Sequence, residues 1–90
     1  MPNRPHMYYW VKDELGREWR LLIEGDYESY PDGNNIVSEL EITEYYLKGK
    51  IYNEASVPEE ISAFGESLVE DVDTYKDIQR EYEAAGQHLL

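Results

Sequence analysis

Ninety residues, 41% of them hydrophobic and 13% aromatic, suffice for one folded core and not for two, so the chain reads as a single domain over 1–90. Twenty acidic residues against eight basic ones give a formal net charge of −12, which disfavours direct contact with nucleic acid or an anionic membrane and makes a basic surface the natural complement. Cysteine is absent, which excludes disulfides and thiolate chemistry.

The opening, MPNRPH, carries two prolines and predicts an irregular arm over 1–6. It lacks the apolar stretch of a signal peptide, and no segment approaches a membrane span, so the cytoplasm is the expected compartment. HMYYWVK predicts a first strand, DELG a turn, and REWRLLIEGDYES a second strand. Pairing Lys12 with Arg17 sets Trp10 opposite Trp19 and Tyr8 opposite Leu21, with all four on one face. Gly25 interrupts the second strand and is expected to mark a bulge or bend.

YPDGNN is a strong turn signal. IVSELEITEYYL predicts a third strand, and a two-residue Lys-Gly turn leads into a short fourth, KIYN. Over 7–53 the expectation is a four-stranded antiparallel meander. Its apolar face is assigned to Tyr8, Trp10, Trp19, Leu21, Ile23, Leu40, Ile42, Tyr46 and Ile51.

The hydrophobic period then changes from two to 3.6. SVPEE reads as a helix start, with Ser56 as cap, Pro58 in the first turn and Glu59 completing a capping box. Val57, Ile61, Phe64 and Leu68 form an apolar stripe that Val72, Tyr75, Ile78, Tyr82 and Ala85 continue. One helix through all of them would be about 42 Å long, more than the sheet is wide. Asp71 and Asp73 offer a fresh cap, so two helices within 57–86 are expected, with Gly86 ending the second. The fold class is therefore α+β: a four-stranded antiparallel meander followed by two C-terminal helices on one face, the other face left to solvent or a partner.

No catalytic constellation is legible. His6 and His88 sit in the presumed ends without a neighbouring nucleophile, and the carboxylates read as uniformly exposed, with nothing to separate their pKa values. The segments DGNN at 32–35 and EDVD at 70–73 hold oxygen ligands but lack the spacing of a calcium loop. The chain is read as a non-enzyme without metal or cofactor.

The acids are patterned. Closing the second hairpin with Glu28 opposite Val37 puts Asp26 opposite Glu39 and Glu24 opposite Glu41, like-charge pairs that destabilise a sheet. On the helices, Glu70, Asp73, Asp77 and Glu81 follow helical spacing and make an acidic ridge. A surface selected for solubility alone would intersperse the signs. Tyr27, Tyr30, Tyr45 and Tyr52 are expected to border the acidic region, tyrosine being enriched in binding surfaces, whereas Tyr8, Tyr46, Tyr75 and Tyr82 are expected in the core.

In size, charge and strand-then-helix order, the chain resembles the small, acidic, phage-encoded inhibitors that mimic DNA, the anti-CRISPR and anti-restriction proteins. The resemblance implies a stoichiometric inhibitor, monomeric or a small homo-oligomer, that acts in the host cytoplasm on a nucleic-acid-binding complex. Two alternatives stay open: an immunity protein or antitoxin that plugs a toxin nuclease, and a protein–protein adaptor whose acidity is incidental.

Overall fold

A computed structural model describes residues 4–33 and 35–84. Strands β1 (His6–Lys12), β2 (Glu18–Ser29), β3 (Asn35–Leu47) and β4 (Lys50–Tyr52) form one antiparallel sheet in chain order, followed by helices α1 (Glu59–Glu70) and α2 (Val72–Ala84). The α+β architecture is the expected one. Trp19, Leu21, Tyr45 and Leu47 pack with Ile61 and Phe64, and Ile23 and Val37 pack with Ile78, Leu68 and Tyr75. Both helices therefore cover the same face.

Which side chains point to that face differs from the expectation, and the cause lies in the turns and bulges. The first hairpin pairs Lys12 with Glu18, not Arg17, so Trp10 faces Arg20, Tyr9 faces Leu21 and Tyr8 faces Leu22. A shift of one residue sends a strand's side chains to the other face. Met7, Tyr9 and Val11 accordingly pack towards the helices, while Tyr8 and Trp10 point away and are exposed.

Asp13 fixes that register. Its backbone bonds to Arg17 (N to O, 3.0 Å), and Gly16 closes back onto the Asp13 carbonyl with φ of 80°. Its carboxylate accepts from the Leu15 and Arg17 backbone N–H groups, from Arg17 Nε and from Trp19 Nε1, at 2.7–2.9 Å. Burial pushes this carboxyl up, but the bonds from Trp19 and Arg17 outweigh that and hold it at about 2.

β3 carries two irregularities against β2, one between Leu22 and Ile23 and one between Glu24 and Asp26. Each adds a residue to β3, Thr43 at the first and one of the pair Glu39–Leu40 at the second, where Glu39 takes φ of 54°. The inward set therefore changes parity twice: Val37, then Leu40 and Ile42, then Tyr45 and Leu47. Tyr46 and Ile51 leave the core that alternation assigned them and stand opposite each other, and Ile36, opposite Glu28, is also exposed. Gly25 is the enabling residue at the second irregularity. A Cβ there would lie 2.7 Å from Leu40 Cδ2 and 2.8 Å from the Ser38 carbonyl oxygen.

The helix start is also corrected. Ser56 belongs to a single 3-10 turn, Glu54–Ser56. Pro58 occupies the N-cap of α1 without a side-chain bond, its carbonyl accepting from Ile61 and Ser62. The break between the helices lies where expected. Asp71 takes an extended conformation and its Oδ1 accepts from the Asp73 N–H at 2.8 Å, capping α2. Val72, expected in the stripe, is 62% exposed at this corner. Gly65 lets α1 sit close on the sheet, where a Cβ would meet Ile42 and Leu21. Ala85, Gly86 and His88 lie outside the described residues.

Candidate functional site: the face without helices

The face turned away from the helices has two halves. Towards the second hairpin it is acidic. Glu24 and Glu41 are direct cross-strand partners as expected, but Asp26 stands opposite Ser38, and Glu28 opposite Ile36. Glu39 has no cross-strand partner, because it falls in the irregularity; it is exposed there. The like-charge rows reduce to a compact trio, Glu24, Asp26 and Glu41.

That trio holds a cation from its own chain. Arg4 reaches Glu41 at 3.1 Å, Asp26 at 3.5 Å and Glu24 at 3.6 Å, and its Nε donates to the Gly25 carbonyl at 3.3 Å. Desolvation opposes the Arg4 charge, but the bond to Glu41 and the fields of Glu24, Glu41 and Asp26 prevail and raise its pKa. The residues preceding β1 are thus built onto the sheet: Pro5 is buried and its carbonyl accepts from the Gly25 N–H at 2.9 Å. His6, read as part of an arm, opens β1 opposite Glu24. Nothing in the sequence marks Arg4 for this place. A lone arginine beside two prolines gave no sign that the strand ladder would continue past His6.

Glu28 sits beyond the trio and accepts from Tyr30 Oη at 2.6 Å and Ser38 Oγ at 2.9 Å. These bonds hold its carboxyl below the usual range and, in turn, push the Tyr30 phenol up.

Three tyrosines assigned to this region lie elsewhere: Tyr52 packs edge-on against Trp19 in the core, with ring centroids 5.3 Å apart, and the other two are Tyr45 and Tyr27. Tyr45 is 5% exposed, in the core under α1, because the Thr43 irregularity turned it inwards; burial raises its pKa. Tyr27 packs on α2, with its ring 4.6 Å from that of Tyr82 and its hydroxyl donating to Glu83 at 3.1 Å. The helical acids are not brought to the sheet trio, since the helices cover the opposite face. Glu70 ends α1 while Asp73, Asp77 and Glu81 belong to α2, so the ridge breaks at Asp71, and Arg80 pairs with Asp77 at 3.3 Å.

Towards the first hairpin the same face is aromatic. Trp10, Arg20, Tyr46 and Ile51 are consecutive cross-strand partners and make one row across all four strands. The Arg20 guanidinium lies 4.3 Å from the Tyr46 ring centroid, 4.5 Å from that of Tyr8 and 5.9 Å from that of Trp10. Trp10 and Ile51 are each 57% exposed.

Among the described residues, no group of three or more His, Asp or Glu side chains is arranged to hold a metal ion. No helix among them is long and apolar enough to cross a membrane. Comparison with protein-family models, with curated proteins and with solved structures finds no match.

Proposed function

We propose that this protein is a non-enzymatic inhibitor that acts in the cytoplasm and binds a basic, nucleic-acid-binding surface of another protein, with the sheet-face carboxylates standing in for phosphates. One observation carries the reading: Glu24, Asp26 and Glu41 converge on the helix-free face with a single guanidinium between them. Direct opposition of Glu24 and Glu41 destabilises a sheet; Arg4 offsets part of that cost, and three carboxylates against its one charge leave the cluster net negative towards an incoming cation. Arg4 supports the reading chemically, because it makes the contacts that a partner's arginine would make. Glu28 and Glu39 flank the trio, and the α2 acids Asp73, Asp77 and Glu81, with Glu70 before them, form a second, separate acidic surface.

The test begins with capture of partners from host lysate at low and high salt, followed by competition against labelled nucleic acid. A partner held through carboxylates should be released as ionic strength rises, and this protein should displace the nucleic acid. Replacing Glu24, Glu39 and Glu41 with Gln and Asp26 with Asn should leave the fold intact and remove most of the binding. A complex containing protein, partner and nucleic acid together, or full affinity in the amide variant, would overturn the proposal.

A further inference from the structure

The aromatic half of the helix-free face has no role in a purely electrostatic contact. Trp10 and Ile51, each more than half exposed, stand at the two ends of one cross-strand row that also holds Arg20 and Tyr46, so their apolar surface is grouped rather than scattered. The row is also held in place. Tyr8 and Tyr46 pack against the Arg20 guanidinium, whose Nε is buried without a hydrogen-bond partner. No carboxylate lies within ion-pair distance of Arg20 among the described residues. Arg20 therefore serves to fix the rings rather than to neutralise an acid. Rigid aromatic side chains of this kind lose little entropy on binding.

We infer that the row Trp10–Arg20–Tyr46–Ile51, with Tyr8, is the apolar anchor of the docking surface, and that its occupant is a cationic protein segment carrying apolar side chains among its basic ones. Charge complementarity selects that occupant. Arg20 and Glu24 lie four residues apart on β2, so the row and the carboxylate trio are separated by about 13 Å on one face. A segment lying along β2 places apolar groups on the row and lysine or arginine on Glu24, Asp26 and Glu41. A second copy of this chain would bring its own charge of −12 against the same face and is disfavoured. The inference rests on the reading that the partner is cationic, and adds that electrostatics alone does not hold it.

Two synthetic peptides of equal length and equal arginine content test this, one with leucine between the arginines and one with glycine. Binding is followed at physiological salt by tryptophan emission, with a Trp10→Phe variant to isolate the signal of Trp10. The leucine peptide should bind about tenfold more tightly, the effect of one well-packed anchor, and should shift Trp10 emission to the blue. Trp10→Ala with Ile51→Ala, both at exposed positions, should abolish that preference while leaving the affinity for the glycine peptide unchanged. The amide variant of the trio should weaken both peptides alike. Equal affinities in the wild type, or a preference that survives in the double alanine variant, would overturn the anchor and leave the cationic reading standing. Failure of both peptides to bind would remove the cationic reading and the anchor with it. Self-association by sedimentation, lost in the double variant, would make a second copy the occupant and overturn the proposal.

Discussion

Trp10 and Trp19 stand on opposite faces of the sheet. Trp19 is 2% exposed and its indole N–H donates to Asp13 at 2.9 Å. Trp19→Ala should cost about 3–5 kcal/mol, read as the shift in a urea-denaturation midpoint. Trp10→Ala should stay within about 0.5 kcal/mol. The difference was not legible because it depends on where the loop ends, and that depends on four bonds to one carboxylate. Asp13 in a DELG turn looked like an ordinary turn residue. Its carboxyl is lowered from 3.8 to about 2, so its contribution to stability is full above about pH 4 and is lost as pH falls through about 2. Asp13→Asn should lower stability at pH 7 and flatten the acid limb of the denaturation profile between those limits. An unchanged acid limb would show that other carboxylates govern acid unfolding.

At the scale of elements, the four strands and two α-helices among the described residues were legible in number and order, because turn residues and the change of period mark them directly; the 3-10 turn at Glu54–Ser56 was not. The break at Asp71 and the irregularity at Gly25 were legible for the same reason. The parity of β3 was not. SELEITEYY alternates cleanly from Leu40 to Thr43, and nothing local announces that Glu39 or Thr43 opens an irregularity. Such insertions are set by what the partner strand and the helices require. The candidate site inherited this division: Glu24 and Glu41 were placed correctly, whereas Tyr45 and the aromatic row were exchanged between faces. Gly25→Ala tests the element. Its methyl would crowd the Ser38 carbonyl, a backbone atom that cannot move without the whole irregularity, at a cost of about 1–3 kcal/mol. Thermal melts should register the loss, and a fully stable variant would mean that β3 can shift away from β2.

For the molecule as a whole, a net charge of −12 on 90 residues works against compaction. Added neutral salt should raise the melting temperature, since charges more than about 8 Å apart are screened at 0.15 M. Arg4 sharpens that expectation. Exposed ion pairs stabilise by about 0–1 kcal/mol, and Arg4→Gln would leave three carboxylates facing one another without their cation. The variant should melt below the wild type at low ionic strength and converge on it as salt increases. A gap that persists at high salt would assign Arg4 a packing role instead. Melting temperatures that fall with salt in the wild type would mean that internal ion pairs outweigh the repulsion.

The irregularities in β3 have a further consequence, for aggregation. β4 covers β3 only at Tyr45, Tyr46 and Leu47, so from Asn35 to Glu44 one side of the strand has no strand partner among the described residues. An uncovered β-rich edge of that length is a template on which identical chains could add strand upon strand into fibrils. Two inserted residues interrupt its run of donors and acceptors, and Glu39, Glu41 and Glu44 line it with a single charge. A straight polymer would have to stack those glutamates on copies of themselves. Features that cost ladder bonds and charge repulsion thus work against such stacking, so a variant with Glu39, Glu41 and Glu44 changed to Gln is the one in which fibrils, followed by thioflavin fluorescence, should first appear.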